Sequence, residues 1–159
     1  MSGRFGCESS GADVVAELAR RFQAGDGAGA FGLFHPEIRI EQPASLPHGG
    51  WHQGHAGLTA MGAAFGRAWS RSITGTRILG CGESVVQVTT QTWTARATGR
   101  SATVDVVELI SFRDGLVSEI RVFQQDTHLL LATLDPALFR VGGQHGHDLG
   151  AAVEADIVP

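Results

Sequence analysis

The 159-residue sequence has no lysine, no tyrosine and no asparagine, and only two cysteines, Cys7 and Cys81. Two cysteines cannot staple a disulfide framework and fit a reducing cytoplasm. No apolar run reaches the length of a membrane span. The opening MSGRFGCESSG lacks the apolar centre of a signal peptide. The net charge is −4 with all 12 basic residues arginine, a balance that points to neither nucleic acid nor an anionic membrane. A glycine-rich phosphate loop, a Ser-His-Asp constellation and a nucleotide fingerprint are missing too, so the expected chemistry uses no cofactor. Abundant glycine and alanine with arginine in place of lysine suggest a GC-rich bacterial coding sequence, and the bacterial cytoplasm is the expected location.

What is present is enough chain for one domain with its own core. Residues 1–11 are small and polar and read as an N-terminal tail. Residues 12–135 carry the periodic patterns of a domain. Residues 136–159, with GGQHGHDLGAA, have weak periodicity and read as a C-terminal tail.

Within the domain, Val14, Val15, Leu18, Ala19 and Phe22 recur at helical spacing from Ala12, and Gly25 ends that helix. A short second helix is expected over Ala28–Leu33, broken by His35-Pro36. Glu37–Gln42 reads as a strand stopped by Pro43. A loop rich in Pro, Gly and His follows over 43–54, then a third helix from His55 to Trp69 burying Leu58, Met61, Phe65 and Trp69. Strands are expected over Ile73–Cys81, Ser84–Arg96, Ala102–Arg113 and on to Gln125. Asp126-Thr127 then caps a last helix, His128–Leu134. The class is α+β.

The stretch 102–125, ATVDVVELISFRDGLVSEIRVFQQ, organises the reading. Strand side chains alternate faces, so Ala102, Val104, Val106, Glu108, Ile110 and Phe112 share a face that is apolar but for one carboxylate. An ionised carboxylate there is costly unless paired, or it takes up a proton. Asp114-Gly115 signals a hairpin. A two-residue turn would set Arg121 opposite Glu108; a turn with Gly115 in a bulge would set Ile120 there. The apolar set Leu116, Ser118, Ile120, Val122 and Gln124 favours the bulged register. On the neighbouring strand, pairing Ala97 with Ala102 brings Gln91 opposite Glu108, and a shift of one brings Thr92.

The element order, with AGD at 24–26, IEQP at 40–43, FRDGLVSEIRVF at 112–123 and QDTHLLLATL at 125–134, resembles the nuclear transport factor 2-like (NTF2-like) superfamily. It is similar in particular to the SnoaL-like polyketide cyclase and ketosteroid isomerase-like branch. The resemblance implies a cone: a curved antiparallel or mixed sheet wrapped on about three N-terminal helices plus a C-terminal one, around an apolar pocket. It implies homodimers through the sheet and a hydrophobic, polyketide- or steroid-like small molecule as partner. The isomerase base falls at Gln42, which cannot take a proton, and the oxyanion-hole Tyr at Leu18; only the buried acid, at Glu108, is matched. The epoxide hydrolase pattern of the same superfamily needs Tyr and Asn, which the chain lacks. SnoaL-like cyclases place an acid/base Asp near the end of the last strand, and Asp126 is the nearest match.

The expected catalytic residues are therefore Glu108 and Asp126, as divided acid and base, with a loop histidine, His52. Gln42, Gln91, Gln124 and His55 would hydrogen-bond the substrate, and Trp69 and Trp93 would stack on it or serve the core. The run His48, His52, His55 crudely suggests ligand spacing but completes no metal signature, so no metal site is expected. The activity implied is acid/base-assisted cyclisation, isomerisation or dehydration. The alternative is a non-catalytic binding or protein-interaction module on the same fold.

Overall fold

A computed structural model of the protein describes residues 11–81 and 83–135; the tails expected at either end lie outside the described residues, apart from Gly11, which opens the first helix. The elements run α1 (Gly11–Gln23), α2 (Gly27–Phe31), β1 (Phe34–Gln42), β2 (Gly50–Gln53), α3 (Gly54–Ala68), β3 (Trp69–Cys81), β4 (Ser84–Ala95), β5 (Ser101–Arg113), β6 (Leu116–Gln124) and α4 (Thr127–Leu134). The six strands form one mixed sheet in the order β2-β1-β6-β5-β4-β3. It is open, not closed into a barrel, and is the α+β cone. Only β1 and β6 run parallel; the other neighbours are antiparallel.

Helices α1, α3 and α4 close the concave side of the sheet. Val15 and Leu18 of α1, Leu58 of α3 and Leu130 of α4 are buried against Ile38, Val104 and Ile110 of the sheet. Burying each such side chain stabilises by roughly 1.5–3 kcal/mol. Phe22, expected inside, is half exposed but still rests on the Phe34 ring, with centroids 6.4 Å apart.

Several boundaries differ from the sequence reading, α2 ending at Phe31 instead of Leu33 among them, and three have a clear local reason. β1 begins at Phe34 and runs through Pro36, where its register against β6 breaks between Phe34 and Arg39; an irregularity tolerates a residue without an N–H. The loop at 43–54 turns twice, through Leu46 N–H to the Pro43 carbonyl and Gly49 N–H to the Leu46 carbonyl. It then supplies an unanticipated edge strand, β2, paired with β1. α3 ends at Ala68, and Trp69 opens β3, fully buried.

The hairpin after β5 adopts neither expected register. Asp114 and Gly115 both have positive φ, 54° and 74°, the signature of a two-residue type I′ turn. Arg113 pairs with Leu116 and Phe112 with Val117; a bulge at Ser118 then brings Val122 opposite Glu108. The bulge preserves the expected parity, so Ile120, Val122 and Gln124 share the face of Glu108. It also turns Val117, expected outside, fully inward.

Candidate functional site

The sheet's concave face and α3 leave a cleft that is open in part to solvent. Its apolar wall is Met61 and Phe65 of α3 with Trp93, Val106 and Val122 of the sheet; its polar groups are Gln42, His48, Arg71, Gln91, Glu108 and Gln124. Met61 and Phe65 keep partial exposure because they face this space, not the packed core.

Glu108 projects from the middle of β5. The residue opposite it on β4 is Gln87, not Gln91 or Thr92, and Gln87 Nε2 donates to Glu108 Oε2 at 2.7 Å. The ladder is offset because Arg96 leaves β5: its N–H goes to the Ala68 carbonyl at 2.9 Å and its guanidinium to the Gly66 carbonyl at 2.7 Å. The turn to β5 thereby comes earlier than expected, over 96–99, with Ala95 N–H already on the Arg100 carbonyl at 2.8 Å. The second Glu108 oxygen has no hydrogen-bond partner among the described residues. What surface Glu108 retains lines the cleft, and desolvation raises its pKa; Arg71 and the Gln87 hydrogen bond pull more weakly the other way.

Arg71 was not anticipated, because the sequence reading began its strand two residues later. Trp69 pairs with Ala95 and Arg71 with Trp93, so Arg71 shares the inner face with three buried residues. Continuing the alternation back from Ile73 to Trp69 would have found it. Its guanidinium carbon lies 5.3 Å from the Phe65 ring centroid. The side chain is exposed at the mouth, yet the surrounding protein desolvates it enough to lower its pKa, with Glu108 acting in the opposite sense. Arginine stays protonated regardless.

His48 was noticed only as one of three loop histidines. It is buried among aromatic rings, edge-on to Phe65 with centroids 5.3 Å apart at 90°, and 5.7 Å from Trp93. Desolvation, then the neighbouring His52 and Arg71, lower its pKa to about 4, so it is neutral at ordinary pH. Its Nδ1 is buried without a partner among the described residues.

Gln42 and Gln124 both line the cleft, from the ends of β1 and β6. Gln42 Nε2 rests 3.6 Å from Met61 Sδ, and the side-chain oxygens of both glutamines are buried and unpaired among the described residues. Gln91, by contrast, is satisfied: it donates to Thr89 Oγ1 and accepts from Trp93 Nε1, fixing the indole.

Five of the nine expected residues thus converge: Glu108, Gln42, Gln91, Trp93 and Gln124. The other four do not line the cleft. Asp126 is exposed and accepts from Leu129 N–H at 2.9 Å as the cap of α4. Trp69 is core, its Nε1 donating to Thr133 Oγ1 at 2.8 Å. His52 pairs its Nε2 with the His48 carbonyl at 2.9 Å, which positions His48 from behind. His55 turns to the Phe34 carbonyl at 3.3 Å. No three His, Cys, Asp or Glu side chains among the described residues converge as metal ligands would, and none of the described helices is long and apolar enough to cross a membrane.

The geometry can bind a flat apolar molecule, present a carboxyl of raised pKa to it, and hold a cation beside it. A family model, SnoaL-like domain, matches residues 15–120. No curated protein matches the chain. Among solved structures, an NTF2-like protein from Burkholderia xenovorans LB400 is 26% identical, over 77% of this chain and 93% of its own, with a TM-score of 0.69. TerC, crystallised with polyporic acid, is 21% identical over 77% of this chain and 95% of its own, TM-score 0.69. A candidate SnoaL-like polyketide cyclase from Mesorhizobium loti is 21% identical over 70% of this chain and 97% of its own, TM-score 0.55.

Proposed function

The chain belongs to the SnoaL-like domain family, with the NTF2-like fold, and on that premise we propose that it is an enzyme moving protons on a hydrophobic, carbonyl-bearing small molecule. The reaction would be a cyclisation, isomerisation or dehydration of a polyketide- or steroid-like substrate. The observation that carries this reading is Glu108: a carboxyl on an apolar wall, one oxygen held by Gln87, the other free toward the cleft. A carboxyl raised above its ordinary range is better matched to both taking and giving a proton.

Ionised Glu108 would remove a proton from the carbon beside a substrate carbonyl. The C–H electron pair moves into the carbonyl as an enolate. Protonated Glu108 then returns the proton to another carbon or to a leaving oxygen. Trp93, fixed by Gln91, would hold the planar substrate, and Gln42 and Gln124 would orient its oxygens. Such positioning contributes by holding reacting atoms close and excluding water.

A second reading, a non-catalytic binding module, is favoured by one observation: Asp126 caps a helix outside the cleft, so Glu108 lacks the second carboxyl expected beside it. Within either reading the outer sheet face supports a homodimer, since Val107, Leu109 and Phe123 are exposed there, with Val107 and Phe123 directly paired.

The test is proton exchange. Flat phenols, steroids and aromatic polyketides are screened by tryptophan fluorescence, and the tightest carbonyl-bearing binder is incubated in heavy water with the protein or with Glu108→Gln. Deuterium entering beside the carbonyl with wild type and at least 100-fold more slowly with the variant supports the enzyme. Binding without exchange leaves the module.

A further inference from the structure

The cleft has unused acceptors and a cation, Arg71, whose one acidic neighbour in the lining, Glu108, acts on it through charge alone and makes no hydrogen bond to it. The side-chain oxygens of Gln42 and Gln124, both in its lining, are buried with no partner among the described residues, and a buried acceptor left unpaired is costly until something donates to it. Arg71 has no carboxylate or carbonyl partner among those residues; it rests on the Phe65 ring. Glu108 is the one acidic group in the lining, and its held oxygen is committed to Gln87, not to Arg71. A ligand suited to this wall needs an acceptor with full negative charge at one place and a hydroxyl donor at another, on an apolar frame between.

We propose that the cleft takes a planar aromatic oxyanion carrying a separate hydroxyl, the oxyanion paired with Arg71 and the hydroxyl donating to the Gln42 or Gln124 side-chain oxygen. This rests on the cleft being the ligand site, as the proposed function has it. The guanidinium is planar and offers a pair of parallel donors to a carboxylate or a delocalised enolate. Its seat on Phe65 holds it beside the aromatic wall that would receive the rings, so charge and stacking would be satisfied together.

Isothermal titration calorimetry with four probes tests this: 6-hydroxy-2-naphthoate, its methyl ester, 2-naphthoate, and 2-hydroxy-1,4-naphthoquinone as an ionised enol. The hydroxynaphthoate is expected to bind at least ten-fold more tightly than the ester and several-fold more tightly than 2-naphthoate. Arg71→Gln should reduce the acid-over-ester preference below three-fold, Arg71→Lys should restore part of it, and Gln42→Leu should remove the advantage of the hydroxyl. Binding by the quinone, by the carboxylate or by both identifies which oxyanion the site accepts. Equal affinity for acid and ester, an unchanged preference in Arg71→Gln, or no binding by any probe at millimolar concentration overturns the proposal. An acid preference without Glu108-dependent exchange leaves this inference standing and sinks the reaction; exchange without the preference does the reverse.

Discussion

Gln87 and Glu108 face each other across the β4–β5 ladder and their side chains meet at 2.7 Å, so the one acidic group of the cleft is held from the sheet, not from the helices. Its titration should be visible in stability. Glu108 binds its proton more tightly in the folded chain than at its ordinary pKa of 4.5. The folded state is therefore favoured below about 4.5, and that advantage is lost as pH rises through the folded pKa. Glu108→Gln cannot ionise. Its melting temperature relative to wild type should rise between pH 4 and pH 9; a constant difference would contradict the raised pKa.

His48 should give the opposite slope. Its folded pKa, about 4, lies below the ordinary 6.5, so protonation favours the unfolded chain. Stability present above pH 6.5 is lost as pH falls toward 4, by up to about 3 kcal/mol. Urea melts of wild type and His48→Phe at pH 4, 5.5 and 7 would show it: the variant should lack that decline.

Asp126→Ala should destabilise by about 1 kcal/mol through loss of the α4 cap and leave the affinity of cleft ligands unchanged. A loss of affinity without loss of stability would return Asp126 to the site.

The Trp69–Thr133 hydrogen bond ties α4 to the first residue of β3 in a buried setting. Trp69→Phe and Thr133→Val should each cost about 1–3 kcal/mol, and the double variant less than their sum. Chemical denaturation of the four proteins measures it.

The faces of the sheet were legible in the sequence because parity is binary: an apolar or polar residue at every second position states which side is buried. Glu108, Gln42, Gln91, Trp93 and Gln124 were found that way. Register was not legible, because it is set by backbone events that leave little trace in composition. The bulge at Ser118 and the departure of Arg96 toward α3 moved Val122 and Gln87, not Ile120 and Gln91, into place beside Glu108. Arg71 was missed because a charged residue at a helix–strand junction reads as surface. Asp126 showed both roles in sequence, and the backbone N–H of Leu129 selects one of them. His48 sits in a loop without periodicity, and only the three-dimensional gathering of Phe65, Trp69 and Trp93 around it explains its burial.

The parallel joint between β1 and β6 pairs Arg39 with Glu119 and Glu41 with Arg121, residues from opposite ends of the domain. Gln42 can therefore join Gln124 in one wall only after nearly the whole domain has left the ribosome. Contacts so distant along the chain form late and slowly. During synthesis, α1 to β5 must wait with open sheet edges on β1 and β5, and the side of the binding wall that holds Gln42, Val122 and Gln124 closes only when β6 has arrived.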